Sequence, residues 1–150
     1  MTAKEYLKRI ELLDIMIQQR EEQLSSLRET AGGAAAIRYD KLNVQMSVSP
    51  DMMERNIIKL LDLEEKIFAD KVRLESLKNE IVEQIQSLDD NRYVDVLFRR
   101  YVRYQKFEQI AIDMSYDYVY IRELHGEALG AFEQAHKNIL HNLTKQSDTM

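Results

Sequence analysis

Several residue types are absent or scarce in this 150-residue chain. It contains no cysteine, so neither a disulfide framework nor a thiolate metal site is possible. One proline, four glycines and no tryptophan favour long helices over sheets. No run of about 18 apolar residues occurs, so we expect no membrane span, and the charges interspersed near the start are unlike a signal peptide. We therefore expect a cytoplasmic, all-α protein.

The first 30 residues have the pattern of a coiled-coil helix. Thr2-Ala3-Lys4-Glu5 has the spacing of a capping box, in which a hydroxyl and a carboxylate bond the first free amides. Apolar residues then recur every seven positions, at Ile10, Ile17 and Leu24. This period is typical of a helix that packs along one seam. The pattern predicts one helix to about Thr30, because Gly32 and Gly33 favour a helix end.

A second, longer helix is predicted from Asp51 to Leu88. Ser49 offers a capping hydroxyl, and Pro50 needs no amide donor in the first turn. The apolar stripe contains Leu60, Ile67, Leu74, Ile81 and Leu88, widened by Ile57, Leu63, Leu77 and Ile85. Neither helix can bury its seam alone, so we expect a long antiparallel helical hairpin over residues 1–88, or pairing with a second copy. Residues 31–50 have no sustained period and are predicted to form the loop.

The charges of the chain are unevenly distributed. Residues 51–90 hold 6 Lys/Arg and 11 Asp/Glu, whereas residues 91–130 hold 6 of each. The long helix therefore carries an imbalance equal to the net charge of −5, and nucleic-acid phosphates would repel it. Between residues 92 and 106 five cations are opposed only by Asp95. A nucleic-acid contact is therefore expected in the second half of the chain.

Residues 89–143 are predicted to form a helix-turn-helix domain. The segments VDVLFRRYV and FEQIAIDM are short and amphipathic, and a break at Ser115-Tyr116 precedes a third helix that Asp117 is placed to cap. Helices joined by so short a turn cross steeply, which presents the second one outward. An apolar stripe from Ile121 to Leu143 predicts one extended last helix from 118 to about 143. Residues 144–150 are expected to be a frayed tail.

This pattern resembles region 4 of bacterial sigma factors. The matching residues are Glu108-Gln109-Ile110-Ala111, Met114, Asp117, Ile121, Leu124 and Ala128-Leu129. With its opening MTAKEYLKRIELLDIMIQQR and the phrase LHGEAL, the chain is similar to a family of small prophage and mobile-element proteins of Gram-positive bacteria. Phage late-operon activators of the ArpU type are neighbours of that family. The resemblance implies a transcriptional regulator of phage genes that binds double-stranded DNA.

The third helix and the basic segment before it supply the candidate DNA contacts. The candidates for base contact are Tyr118, Val119, Tyr120, Arg122 and Glu123, and those for phosphate contact are Arg99, Arg100, Arg103 and Lys106. Arg122 could pair with guanine, Glu123 could accept from cytosine, and Val119 could meet a thymine methyl group. The alternative for Arg99 and Arg100 is a solvated helix end. Gly126 and Gly130 also point outward, where close packing is the commoner role of glycine.

No catalytic, cofactor or metal site is predicted. The three histidines, His125, His136 and His141, have no acidic partner at metalloprotease spacing, and His125 is interpreted as a packing residue. A homodimer is expected, because a second half-site multiplies a weak contact. Two other functions stay open. One is a protein-binding module that mimics a sigma domain and captures host RNA polymerase or another phage or host protein; the other is an oligomeric DNA-packaging component.

Overall fold

The structure, a computed structural model, describes residues 1–30 and 50–148. All regular structure in these ranges is helical, as predicted. The helices are α1 (Ala3–Leu7), α2 (Arg9–Arg28), α3 (Pro50–Gln86), α4 (Asn91–Leu97), α5 (Phe107–Met114), α6 (Tyr118–Ala135) and α7 (Lys137–Asp148). A π-helical turn, Phe98–Val102, follows α4 directly. The predicted loop and the cap at Ser49 lie outside the described residues, apart from Pro50, which begins α3.

The chain divides into two compact units. One is Leu13–Arg73; the other combines Met1–Leu12 with Leu74–Met150. The domains predicted from the sequence, residues 1–88 and 89–143, stay a prediction. No helix within the described ranges is both long and apolar enough to cross a membrane.

Three ion pairs join α2 to α3 inside the Leu13–Arg73 unit. They are Arg20 with Asp70, Glu21 with Lys71 (2.7 Å from Oε1 to Nζ), and Arg28 with Glu64 (2.6 Å from Nη2 to Oε1). Later residues of α2 pair with earlier residues of α3, so these two segments run in opposite directions. The heptad residues Ile17, Leu24 and Ile67 are buried. Ile57 was expected on the same stripe but is 51% exposed, so the buried seam is narrower there than predicted.

The other unit has a continuous apolar core. Its buried members are Ala3, Tyr6, Leu7, Ile10, Ile81, Ile85, Val96, Leu97, Tyr101, Ile110, Ala111, Ile121, Leu124, Ala128, Phe132 and Leu140. Each large side chain buried in this way contributes about 1.5–3 kcal/mol to folding. The capping box predicted at Thr2 is present, with the Glu5 amide donating to the Thr2 hydroxyl and the Glu5 carboxylate accepting from the Thr2 amide.

Two helices are interrupted where the sequence predicted continuous ones. At the start of the chain, Lys8 separates α1 from α2. Near the end, His136 leaves helical geometry (φ −125°, ψ 32°), so the predicted single helix from 118 to 143 is wrong. Nε2 of His136 donates to the carbonyl of Gln84 at 3.1 Å, which ties the break to the end of α3. Helix α7 continues to Asp148, beyond Thr144, where the frayed tail was predicted to begin.

Candidate nucleic-acid interface

A three-residue turn connects α5 to α6. Its first residue, Ser115, has left-handed backbone geometry (φ 60°, ψ 43°), and the amide of Tyr116 donates to the carbonyl of Ala111 at 3.0 Å. These features end α5 in the manner of a left-handed helix cap. Asp117 stands at the N-cap position of α6, but its side chain makes no capping hydrogen bond, contrary to our expectation.

Helix α6 is held in the core by one of its faces. The buried residues of that face are Ile121, Leu124, His125, Ala128 and Phe132. The hydroxyl of Tyr101 and Nε2 of His125 are joined by a 2.7 Å hydrogen bond, and the ring of Phe107 meets the imidazole edge-on at 4.9 Å between centroids. Tyr101 belongs to the π-helical turn and Phe107 to α5. The imidazole therefore fixes α6 against both elements that precede it.

The protonation states of this cluster follow from burial. Loss of solvent, with the nearby positive charges of Arg100 and Lys4, lowers the pKa of His125 to about 4. Burial also raises the pKa of Tyr101 to about 12. Both side chains are consequently neutral near pH 7. The sequence prediction that His125 is a packing residue agrees with its burial and its ring contacts.

The opposite face of α6 is open to solvent. Val119 is 65% exposed and Tyr118 40% exposed, and Arg122 and Glu123 are exposed beside them. The guanidinium of Arg122 lies 5.9 Å from the centroid of the Tyr118 ring. These four predicted base contacts therefore share one accessible surface, at the N-terminal end of the helix.

Tyr120, the fifth predicted base contact, is in a different position. It is half-buried, and its hydroxyl accepts a hydrogen bond from Nη1 of Arg92 at 2.7 Å. Asp90 in turn bonds Arg92 at 2.8 Å, and these hydrogen bonds lower the pKa of the Asp90 carboxyl. The Tyr120 ring lies 4.7 Å from that of Tyr116. Arg92 was not among the predicted contacts, because its hydrogen bond to Tyr120 joins residues 28 positions apart.

Gly126 and Gly130 continue the exposed face of α6 toward its C-terminal end. We expected packing to be the commoner reason for glycine there. A Cβ built at either position meets no heavy atom within 4 Å, so close packing within the chain does not explain these glycines.

Two of the four predicted phosphate contacts are already engaged within the chain. Nε of Arg99 donates to Asp95 at 2.8 Å, and its Nη1 lies 3.4 Å from a carboxylate oxygen of Asp113. Nη1 of Arg100 donates to the carbonyl of Gln105 at 3.0 Å, and its guanidinium sits 4.1 Å from the Phe107 ring centroid. Both side chains thus connect the π-helical turn to the segment that follows. Neither side chain is a solvated helix end, and part of the hydrogen-bonding capacity of each is already used within the chain.

The other two predicted phosphate contacts are accessible. Arg103 and Lys106 are exposed, and both lie just before α5, which begins at Phe107. The guanidinium of Arg103 lies over the Phe98 ring, 5.2 Å from its centroid. Together with Arg122, these residues provide the exposed positive charge of this region.

Other kinds of site are poorly supported in the same region. Among the described residues, no three His, Cys, Asp or Glu side chains are grouped to hold a metal ion. A surface depression lined by Ser115, Tyr116, Asp117 and Tyr120 is open rather than enclosed, whereas small-molecule sites bury most of their ligand.

No protein-family model, no curated protein and no solved structure matches the chain.

Proposed function

We propose that this chain is a phage-type, sequence-specific transcriptional regulator that binds double-stranded DNA through a helix-turn-helix resembling sigma region 4. In this proposal α5, the Ser115 turn and α6 form the binding motif, and α6 enters the major groove. The observation that supports this proposal most is that α6 has one exposed face and one buried face. Its N-terminal turns expose Val119 and Arg122, while Ile121 and Leu124 on the other side are almost fully buried.

Each exposed side chain then has a distinct role. Arg122 would donate to the acceptor edge of guanine, Glu123 would accept from the amino group of cytosine, and Val119 would contact a thymine methyl group. Arg103 and Lys106 would bind phosphates and set the register of the helix on the duplex. Arg99 and Arg100 would act indirectly, since they hold the π-helical turn against α5.

The proposal assigns the remaining helices to assembly. The ion pairs between α2 and α3 support an antiparallel hairpin. A homodimer would place two copies of α6 on two half-sites, and doubling a weak contact in this way raises the overall affinity. Host RNA polymerase is a further partner expected of such a regulator.

The experiment starts with selection of bound duplexes from a random DNA pool, followed by titration of the enriched sequence at several salt concentrations. Arg122→Ala should weaken binding by about 1–3 kcal/mol at one base pair and leave other positions unchanged. The Arg103→Ala/Lys106→Ala double variant should weaken binding to every sequence and reduce the salt slope by about 2.

Arg99→Ala is the matched control, because its charge is already met by two carboxylates. It should change the salt slope much less than the double variant does. The assignment of this surface to DNA fails if no duplex is enriched, or if an enriched duplex binds the Arg122 and Arg103/Lys106 variants as tightly as the parent.

A second candidate function is a protein-binding module that mimics a sigma domain. It is favoured by the apolar side chains exposed around the turn, since Ile112 is 72% and Tyr116 41% exposed. Host extract treated with nuclease distinguishes the two functions. A polymerase complex that survives nuclease and is lost on Ile112→Glu would support the module.

A further inference from the structure

Helix α3 carries a second apolar row, which we call the Phe68 row. Its apolar members are Ile58, Leu61, Phe68 and Val72, exposed by 50%, 55%, 72% and 55%. Glu65 occupies the position between Leu61 and Phe68, so the five residues follow one another at intervals of three, four, three and four. All belong to the Leu13–Arg73 unit.

The Phe68 row is separate from the seam that α3 shares with α2. At about 100° per residue, it is centred roughly 160° around the helix from the buried Ile67 and Asp70. Alternating intervals of three and four are the spacing of a helix–helix seam. A row of exposed apolar side chains of this kind marks an interaction site. A second helix lying along α3 would cover all four apolar side chains at once.

Charge identifies the kind of helix that fits. Glu65 is exposed at the midpoint of the Phe68 row, and it forms no ion pair with another described residue. An antiparallel second copy of α3 would set Glu65 against apolar side chains and bury its carboxylate without a cation. A parallel copy in register would bring two Glu65 carboxylates together. Like charges at such a contact disfavour the pair. Glu65 therefore acts against self-pairing and favours an opposing cation.

We propose that the Phe68 row docks an amphipathic helix of a different protein, with a lysine or arginine at the middle of its apolar seam opposite Glu65. The surface lies outside the DNA-binding motif, so this inference does not depend on the proposed function. In this proposal α3 recognises a protein. Its negative charge would prevent it from binding nucleic acid.

The test uses two synthetic helical peptides of four heptads that differ at one position. Both have leucine at the other seam positions, and the central seam residue is lysine in one peptide and glutamate in the other. The full chain should bind the lysine peptide at least about tenfold more tightly. Glu65→Lys should reverse that preference, because the charge to be matched has changed sign.

Two variants check the location of the contact. Phe68→Glu should abolish binding of the lysine peptide while leaving helix content and thermal unfolding nearly unchanged, since that side chain is mostly exposed. Ile112→Glu is the matched control, because Ile112 is equally exposed but belongs to α5, and it should bind normally.

Three results would overturn the proposal. The first is equal affinity for the two peptides, and the second is binding that ignores Phe68→Glu. The third is a dimer in sedimentation that Phe68→Glu separates, because it would assign the row to a second copy of the chain.

Discussion

The hydroxyl of Tyr101 and Nε2 of His125 are 2.7 Å apart, and this single hydrogen bond links the π-helical turn to the middle of α6. Because His125 is only 8% exposed, its imidazole stays neutral in the folded chain at pH values where a free imidazole would be charged. The position of the proposed DNA-binding helix is thereby coupled to the protonation of one buried residue.

Acid should destabilise the chain through His125. The folded-state pKa of about 4 lies below the unfolded value of about 6.5, so the unfolded chain binds more protons between these values. The free energy of unfolding should fall by at most about 3 kcal/mol as pH decreases from about 6.5 to about 4, with no contribution above that window. Urea unfolding at pH 7.5, 5.5 and 4.5 measures this. His125→Phe should remove this pH dependence of the free energy of unfolding. His141→Phe should retain it, because His141 is exposed.

Ser115→Gly should stabilise the chain. Ser115 holds a left-handed conformation at φ 60°, which costs an L-residue about 1–2 kcal/mol and glycine very little. Because glycine also loses more conformational entropy on folding, the net gain in the free energy of unfolding should be at most about 1 kcal/mol. Ser115→Val should have the opposite effect, because a branched side chain is strained there. Thermal unfolding distinguishes them, and a lower melting temperature for the glycine variant would contradict the assignment of strain.

Replacing the exposed glycines of α6 should also stabilise the fold. A Cβ at Gly126 or Gly130 meets open space, so alanine gains helix propensity without a clash. Each change should add about 1 kcal/mol to the free energy of unfolding. If DNA affinity falls in Gly126→Ala/Gly130→Ala while stability rises, the glycines serve close approach of the duplex. Unchanged affinity would show that the backbone of the DNA does not pass over them.

The buried carboxylate of α3 should contribute more to stability than an exposed one. Asp70 is 5% exposed and pairs with Arg20, so Asp70→Ala leaves the guanidinium partly desolvated without its partner and should cost about 2 kcal/mol. The exposed pair of Arg28 with Glu64 is the internal control, and Glu64→Ala should cost less than about 1 kcal/mol. If Asp70→Ala and Glu64→Ala lose the same free energy of unfolding in urea, burial of the carboxylate has no special role. The Arg20→Leu/Asp70→Leu double variant should recover most of the loss.

Local pattern was sufficient to predict several elements of this protein. Helix α5 covers the predicted segment FEQIAIDM from Phe107 to Met114, and α3 begins at Pro50 and ends at Gln86, within two residues of the predicted bounds. Heptad positions such as Ile10 and Ile81 are fully buried. These features depend on helical period and on capping chemistry, which act between residues a few positions apart.

The exposed candidates for DNA contact were also predictable in part. A helical period predicted that Val119 and Arg122 would face away from Ile121, and the exposure of their side chains agrees with this. It could not predict that Tyr120 is bonded to Arg92, 28 residues earlier in the chain. Whether these side chains read a duplex stays a prediction.

The sequence by itself determined which stretches are helical and which face of each helix is apolar, because both depend on neighbours three or four residues away. Only the tertiary structure decided that Arg99 is engaged by Asp113, that His136 interrupts the last helix by bonding Gln84, and that the Phe68 row stays uncovered. The physical reason is that a side chain's charge or apolar surface is matched by whichever residue packs beside it. For Arg99 and His136 that residue is remote in the chain.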